Sequence, residues 1–483
     1  MMITDKVYEI FSRLNAIPRA SHHEEKVADF LCHYAEELGL DYDRDSENCV
    51  VIRKPASPGS EDAEPVVLLN HMDMVAVGDG SRPFDPLNDG IEAYIEDGWM
   101  KARGTSLGAD NGIGLSMALA VLADDTLVHP ALEVLTTTNE EDGMTGAANL
   151  SPDFIRGRKV INLDSEDYDT ITVGAAGAYL QTAYLPAQRI LTPEGLTFFR
   201  VTIDGGLGGH SGVDINKHRA NAIFEMCRML FRYRYNPFHE DRLRETMYIA
   251  SINGGNANAS IPSACEAVVA VPDEDAVEFR AQMEWGMEKI RFHFPEERGL
   301  RMGVNEVPAQ PSVIEEDDIP VIVRNLPCGV IRMREDMPDT VMTSNNIGIL
   351  RTEKEHVVIG CHTRSFDDEE MVETATEISR HFLCFGAEVQ VVMNTPGWQE
   401  RQGSAFLGLV SHTFSDVLGF EPRPVAMHFV LEAGYYVQKY PGIEIACIGP
   451  RIIEPHSTKE RVEMSTIDNI CKVLVELLRR LAR

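Results

Sequence analysis

Acidic and histidine side chains follow four apolar segments of the chain. These side chains are His71, Asp73, Glu140, Glu141, Asp164 and His456. If the four segments are strands of an open α/β sheet, their carboxyl ends meet at one edge, and we expect these side chains to lie close together. Imidazole and carboxylate without a thiolate suit zinc, manganese or cobalt, whereas sites made mostly of oxygen suit magnesium or calcium. The sequence therefore predicts a divalent-metal site.

Asp110 joins this set from the glycine-rich segment 104–114, GTSLGADNGIG. The glycines let the backbone bend tightly, and the aspartate stands where a helix should begin. Taken alone, Asp110 would be a helix N-cap, and each of the other side chains would be an ordinary loop or surface residue. Taken together, two histidines and several carboxylates supply five ligands with one shared carboxylate, which suits two ions a few ångströms apart.

The segment 132–144, LEVLTTTNEEDGM, begins as a strand and ends in three consecutive acids. Adjacent carboxylates repel each other, and nearby cations would remove that cost. One member of the pair Glu140 and Glu141 can then bind an ion while its neighbour accepts a proton from water. Adjacent strand residues face opposite sides, so the chain must turn here, and the glycines that follow favour a turn. Asp142 is expected to be solvated.

Asp73 has a different place in this set. It lies two residues after His71, so both side chains point the same way in an extended chain. We therefore expect its carboxylate to orient the imidazole of His71 rather than to bind an ion.

The elements that carry these residues alternate along the chain. Apolar runs at 65–73, 131–141 and 159–167 are predicted to be strands. Helix periodicity is seen at 24–40, and a further helix is expected to begin after Asp110. Strands that alternate with helices favour an α/β fold with a mainly parallel sheet flanked by helices.

The pattern of predicted strands and helices changes in the middle of the chain, and the earlier pattern then returns. The middle part has glycine-rich segments between strands and helices of an α+β type, and a helix at 404–419 and a strand at 443–450 then resume the earlier pattern. We predict one α/β domain in two segments, 1–185 and 395–483, interrupted by an α+β domain at 186–394.

Composition indicates what the protein binds and where it works. The 483 residues, 44% of them hydrophobic, are enough for two domains. A net charge of −32 disfavours nucleic acid and anionic membrane as partners. No apolar run approaches the roughly 18 residues of a membrane span, and the N-terminal segment lacks the pattern of a signal peptide. Nine scattered cysteines without a C-x-x-C pair favour reduced thiols and a cytoplasmic location.

The ordered motifs resemble those of the dinuclear metallopeptidases of clan MH, family M20. They are HMDMV, GADNGIG, NEEDGMTGA, LDSED and PHS. The phrase WMKARGTSLGADNGIG is similar to the PepD-type aminoacyl-histidine dipeptidases, also called cytosolic non-specific dipeptidases. The resemblance covers nearly the whole chain. It implies that the split domain is a catalytic domain of the zinc-peptidase, phosphorylase/hydrolase-like fold, and that the insert is a lid that closes over the substrate.

The resemblance also implies a metal-binding role for five residues. One ion would be bound by His71, Asp110 and Asp164, and the other by Asp110, Glu141 and His456. Asp110 would bridge the two ions. Zinc is the expected metal, with cobalt or manganese as alternatives.

Catalytic roles follow from the same resemblance. Glu140 would be the general base, and Asp73 the acid behind the metal-binding histidine. His210, in the lid motif GGHSG, would stabilise the oxyanion of the tetrahedral intermediate. The peptide between Asp110 and Asn111 would be cis.

Four substrate-binding residues are implied as well. They are Arg364, Asn258, His428 and Glu432. Arg364, in HTRSF, would grip the terminal carboxylate of a substrate with its planar guanidinium. Where relatives carry an asparagine four residues after a Gly-Gly pair, this chain has Ala259. Asn256 and Asn258 lie nearby, and Asn258 is the first candidate, with Asn256 as the alternative. His428 and Glu432 lie in HFVLEAG, which departs from the HAGLECG of close dipeptidases, so the side-chain preference stays open.

These residues together predict a metal-dependent dipeptidase. Water activated between two ions would hydrolyse the amide bond of short peptides that have a free C-terminal carboxylate, including Xaa-His dipeptides. Alternatives are an M20-type tripeptidase, an N-acyl-amino-acid amidohydrolase, or an inactive metal-binding relative. The last is disfavoured because no residue of the catalytic centre is replaced. A monomer and a homodimer are both compatible with the resemblance.

Overall fold

The computed structural model describes residues 3–235, 246–315, 318–399 and 403–483. The chain forms two compact units. The first comprises Met1–Gly174, Trp398–Ala426 and Glu432–Arg483, and the second comprises Ala175–Gly397 and Met427–Leu431. Within the described ranges, no helix has both the length and the apolar character needed to cross a membrane.

A mixed eight-stranded sheet forms the centre of the first unit. In spatial order its strands are Asp41–Arg44, Val50–Lys54, Leu132–Thr137, Val66–His71, Lys159–Asn162, Glu444–Cys447, Thr170–Ala175 and Arg423–Met427. The four strands in the middle run parallel, and the pairs that begin at Asp41 and Val50 are antiparallel. Every residue of Val66–His71 and Leu132–Thr137 is buried, as expected for parallel strands covered on both faces. The parallel character predicted from the sequence thus lies in the middle of the sheet.

Helices cover this sheet. In the first unit they are Ile3–Asn15, Glu25–Leu38, Ala109–Leu122, Thr145–Asn149, Ala405–Leu418, Ala433–Lys439 and Met464–Leu481. Glu25–Leu38 ends at Gly39, whose φ of 66° provides a left-handed cap, and Ala109–Leu122 is apolar on nearly all sides and correspondingly buried. A small four-stranded sheet joins Ile452–Ile453, Arg461–Glu463, Trp99–Ala102 and Ala93–Glu96 in this order.

The second unit is an α+β structure with a nine-stranded sheet. Its strands are Arg301–Glu306, Leu196–Asp204, Cys265–Pro272, Tyr248–Gly254, Val341–Thr352, His356–Ser365, Gly177–Pro186 and Glu388–Thr395 in spatial order, with Gly329–Met333 paired to Val341–Thr352. Two further pairs are Arg189–Leu191 with Ser312–Ile314, and Gly209–His210 with Ser260–Ile261. The helices are Ala222–Arg234, Asp273–Asp275 (3-10), Ala276–His293, Ile319–Arg324 and Asp368–Cys384.

The compact second unit begins before the predicted domain boundary at 186. The strand Gly177–Pro186 pairs along its whole length with His356–Ser365, so it belongs to the sheet of this unit. The main apolar cluster of this unit includes Phe199, Tyr233 and Phe279, and a smaller cluster includes Phe198 and Val313. The bounds 1–185, 186–394 and 395–483 remain a prediction about domains.

Candidate metal centre

Three parallel strands end at one edge of the sheet of the first unit, and each end carries candidate ligands. His71 is the last residue of its strand and is in register with Thr137, the last residue of the neighbouring strand. Glu140 and Glu141 follow Thr137, and Asp164 follows the third strand. Parallel pairing therefore places these side chains at the same edge.

Asp110 lies between two histidines. Its Oδ1 is 3.1 Å from Nε2 of His71, and its Oδ2 is 3.0 Å from Nε2 of His456. Within the helix Ala109–Leu122, Asp110 has a non-helical backbone with φ −79° and ψ 113°, and the peptide that joins it to Asn111 is cis, as predicted. One carboxylate thus faces two imidazoles through different oxygens, which is the arrangement required of a ligand shared by two ions.

The remaining predicted ligands lie against the same histidines. Nε2 of His71 is 3.3 Å from Oδ1 of Asp164, and Nε2 of His456 is 2.9 Å from Oε2 of Glu141. Ligand atoms of His71, Asp110 and Glu141 all lie within 4.8 Å of one another. The structure therefore brings together all five residues.

This donor set fits divalent cations. Three carboxylates and two imidazoles converge without a thiolate. The Oε1 atom of Glu141 is buried and has no hydrogen-bond partner in the part of the chain that the structure describes. Burial raises the pKa of Asp164 to about 6, with the charge of Asp110 adding to the effect. Cations close to these carboxylates would give Oε1 of Glu141 a partner and would favour the ionised form of Asp164.

Asp73 is fully buried behind His71. Its Oδ1 lies 3.3 Å from Nδ1 of His71. Its two oxygens also accept the backbone N–H groups of Glu140, at 3.1 Å, and Glu141, at 3.2 Å, and the hydroxyl of Ser21 donates to Oδ2 at 2.7 Å. Asp73 thus ties the histidine to the glutamate pair, a link that the sequence did not reveal.

The turn before the glutamate pair begins at Asn139, earlier than the glycines suggested. Asn139 has φ 55°, its Oδ1 accepts the backbone N–H of His22 at 2.6 Å, and its Nδ2 donates to Thr145 at 2.8 Å. Asparagine tolerates this left-handed conformation, because its short side chain can hydrogen-bond locally. Asp142 is exposed and contacts only the exposed ring of His22 in the described hydrogen bonds and ion pairs, at 2.9 Å.

Glu432 also belongs to the first unit. Its side chain is buried, and Oε2 accepts hydrogen bonds from the hydroxyls of Thr137, at 2.8 Å, and Tyr436, at 3.3 Å. Burial raises the pKa of Glu432 to about 8. Its predicted role in substrate binding stays a prediction.

The other predicted substrate-binding residues and His210 lie in the second unit. Arg364 is only 3% exposed, and its Nε donates to Ser211 at 3.4 Å. Among the described residues, its Nη1 has no hydrogen-bond partner and its guanidinium forms no ion pair with a carboxylate. Burial lowers the pKa of Arg364 to about 10, which keeps it charged at neutral pH. A buried charge without a counter-charge is a candidate anion site.

His210 is arranged as a hydrogen-bond donor. Its Nδ1 accepts the backbone N–H groups of Gly212 and Val213, at 3.2 and 3.1 Å. Burial and the charge of Arg364 lower the pKa of His210, which favours the neutral ring. The proton of the neutral ring is then on Nε2, which remains available to donate.

The strand that carries Arg364 also carries His362. His362 lies two positions earlier on the strand His356–Ser365, so both side chains leave the same face, and neither of its ring nitrogens has a hydrogen-bond partner among the described residues. The buried Oδ1 of Asn258 lies over Gly360 on that face, since a Cβ there would come within 2.0 Å of it. His428 is bound through Nε2 to Ser344 at 2.8 Å. The alternation in HTRSF is the signal that would have identified His362.

Comparisons with known proteins identify the family of the chain. The family description "Peptidase family M20/M25/M40" matches residues 67–480. The cytosol non-specific dipeptidase of Escherichia coli (strain K12) is 33% identical over 479 residues, which are 98% of this chain and 97% of that protein. The crystal structure of aminoacylhistidine dipeptidase from Vibrio alginolyticus is similar with a TM-score of 0.90 and 31% identity, covering 98% of this chain and 96% of that one. A tripeptidase from Staphylococcus aureus, at a TM-score of 0.58, 16% identity and 99% coverage of both chains, shares the fold.

Carboxylates and imidazoles gathered at the ends of parallel strands fit the class of metal-dependent hydrolases. Within that class, the chain belongs to peptidase family M20/M25/M40. The predicted family, the predicted α/β fold class and the prediction of a peptidase are therefore confirmed.

Proposed function

We propose that this family M20 metallo-dipeptidase cleaves dipeptides that have a free C-terminal carboxylate, including Xaa-His dipeptides. The observation that carries the proposal is the carboxylate of Asp110, whose two oxygens face His71 and His456 at 3.1 and 3.0 Å. Two relatives of nearly the same length are named for dipeptidase activity, one of them for aminoacylhistidine substrates.

Two ions would be held by the five converging residues. His71, Asp110 and Asp164 would bind one, and Asp110, Glu141 and His456 the other. Zinc is our first expectation from this mixture of imidazole and carboxylate, and cobalt or manganese would suit it too. Ions bound there would polarise the scissile carbonyl and lower the pKa of water.

Glu140 would accept the proton of the attacking water and return it to the leaving amine. Burial raises the pKa of Glu140 well above its ordinary value, which makes its carboxylate a better proton acceptor than an exposed one. The backbone N–H of Glu140 donates a hydrogen bond to the carboxylate of Asp73, and this bond fixes the position of the Glu140 backbone. Asp73 would in addition orient the ring of His71.

Residues of the second unit would bind the substrate. Arg364 would pair with the terminal carboxylate, because Nη1 of its buried guanidinium has no partner among the described residues. His210 would donate from Nε2 to the oxygen that becomes negatively charged. We propose Asn258 and His428 as further substrate-binding residues, together with Glu432 of the first unit.

We also propose a cytoplasmic location, and a monomer or a homodimer as the assembly. The E. coli relative is named as a cytosol protein. All nine cysteines of this chain are free thiols. The net charge of −32 supports the absence of nucleic acid and membrane from the partners.

Metal analysis coupled to a substrate panel tests the proposal. We expect two zinc, cobalt or manganese ions per chain, and turnover of β-alanyl-histidine and of ordinary dipeptides. A tripeptide and an N-acetyl amino acid should be cleaved much more slowly. Faster turnover of either would favour the corresponding alternative, and two bound ions without any turnover would favour an inactive relative.

A further inference from the structure

The loop that leads to Asp110 is bound by a buried carboxylate. Glu460, which is 3% exposed, accepts four consecutive backbone N–H groups. Its Oε2 accepts those of Leu107 and Gly108 at 2.8 and 2.9 Å. Its Oε1 accepts those of Ala109 and Asp110 at 2.7 and 3.4 Å. The two carboxylate oxygens of Glu460 therefore bind the backbone from Leu107 to Asp110, the residue proposed as the shared ligand.

A buried arginine holds the same loop from its carbonyl side. Arg19, at 1% exposure, donates to the carbonyl of Gly108 at 2.5 Å and to those of Met72 and Asp73 at 3.1 and 2.9 Å. Gly108 has φ 67°, and a Cβ there would lie 2.4 Å from Nη2 of Arg19. Arg19 thus joins the loop of Asp110 to the loop that follows His71.

One chain segment carries both Glu460 and the proposed ligand His456. His456 and Glu460 lie in the segment between the strands Ile452–Ile453 and Arg461–Glu463, which pair with each other. The second of these strands also pairs with Trp99–Ala102, the strand that precedes the loop of Asp110. A displacement of Glu460 would therefore change the place of Asp110 relative to His456.

We propose that Glu460, assisted by Arg19, is a positioning residue that sets the carboxylate of Asp110 before any ion binds. This rests on the proposed function, in which Asp110 is the shared ligand. Ions that meet a preset pair of oxygens bind more tightly, because little ordering remains to be done on binding. Outer residues that orient ligands typically contribute 10- to 100-fold to metal affinity.

Glu460→Gln tests this inference, and Glu133→Gln is its matched control. Glu133 is also 3% exposed, and its Oε2 accepts the backbone N–H groups of Arg156 and Gly157 at 2.7 and 2.8 Å, at the other end of the strand that leads to Glu140. Both variants should lower the melting temperature of the metal-free protein. Only Glu460→Gln should weaken zinc binding, by roughly 10- to 100-fold in competition with a chelator.

Two further readouts distinguish positioning from general destabilisation. The Co²⁺-loaded Glu460→Gln protein should have an altered visible absorption spectrum, and with saturating metal its kcat should fall while KM stays unchanged. Equal zinc affinities for Glu460→Gln and the wild type would overturn the inference, and so would an equal loss in Glu133→Gln. If Glu460→Gln does not fold, Glu460→Asp replaces it, since the shorter side chain cannot reach both pairs of N–H groups and should give a smaller loss in the same direction.

Asp110→Asn separates this inference from the proposed function. If this variant still binds two ions with unchanged affinity, the assignment of Asp110 as the shared ligand is wrong. If it loses an ion while Glu460→Gln binds as tightly as the wild type, only the positioning role is wrong.

Discussion

The candidate sites of the two units bury charges of opposite sign, carboxylates in the first unit and a guanidinium in the second. At the strand ends of the first unit, the carboxylates Asp73, Asp110 and Asp164 lie around His71. On one strand of the second unit, Arg364 is buried without a carboxylate at ion-pair distance in the described chain, and His362 next to it has a pKa well below its ordinary value because of burial and that positive charge.

Each arrangement is costly unless a ligand of opposite charge completes it. Buried ionised groups are stabilised only when they are paired, so clustered carboxylates call for cations and a lone guanidinium calls for an anion. An uncompensated buried charge is therefore the physical basis of both proposals, metal ions in the first unit and the carboxylate of a substrate in the second. The predictions below test the two halves of this comparison separately.

The largest effect is expected for Glu140→Gln. We expect kcat to fall by roughly 10²- to 10⁴-fold, because the amide cannot accept a proton from water. Metal content should be unchanged, whereas Glu141→Gln, the variant of the adjacent residue, should also lose metal. Initial-rate assays and elemental analysis of both variants measure kcat and metal content. Near-normal turnover of Glu140→Gln with two ions bound would exclude Glu140 as the general base.

Arg364→Met tests the second unit. The loss of a buried charge pair with the substrate typically costs 2–5 kcal/mol, so kcat/KM for a dipeptide should fall by about 30-fold or more. A dipeptide with a C-terminal amide should be cleaved by the variant and the wild type at similar rates. Arg351→Met is the control, since Arg351 is an exposed arginine whose described contact is to the carbonyl of Gly255. Equal losses for the acid and the amide substrates would contradict carboxylate recognition.

Acid should destabilise the second unit through His428. Burial, with the charge of Arg364, lowers the pKa of His428 from 6.5 to about 3. The unfolded chain then binds the proton more readily than the folded chain, so stability is full above pH 6.5 and falls as the pH decreases towards 3. The contribution is on the order of 2–4 kcal/mol over this window. Unfolding free energies measured between pH 7 and 3.5 should fall less steeply for His428→Gln, and identical slopes would show that His428 is not the cause.

The smallest effect is expected for Asp142→Asn. Asp142 adjoins the glutamate pair, but its side chain is 74% exposed and contacts a half-exposed histidine. Surface ion pairs of this kind contribute about 0–1 kcal/mol. We expect kcat to change less than about 2-fold and unfolding stability by less than about 1 kcal/mol. A loss comparable to that of Glu140→Gln would mean that the charge of the acidic triplet matters as a whole.

The local sequence pattern predicts candidate ligands wherever they lie just after the end of a strand. His71, Glu141 and Asp164 are predicted to come together because apolar segments of strand length precede them, and Asp110 joins them because glycines surround it at a helix start. Asn139 was missed as the turning residue, since the glycines close by offer an easier left-handed position. His362 was missed because its partners on the strand face come from distant segments.

By itself the sequence determined the inventory of candidate ligands and the edge of the sheet at which most of them meet, because parallel strands must place their carboxyl ends together. Only the tertiary structure decided which oxygen of Asp110 faces His71 and which faces His456, and that Glu460 and Arg19 hold the backbone before it. The physical reason is that these hydrogen bonds join groups far apart in the chain, and their directions depend on how the elements pack rather than on the residues beside them.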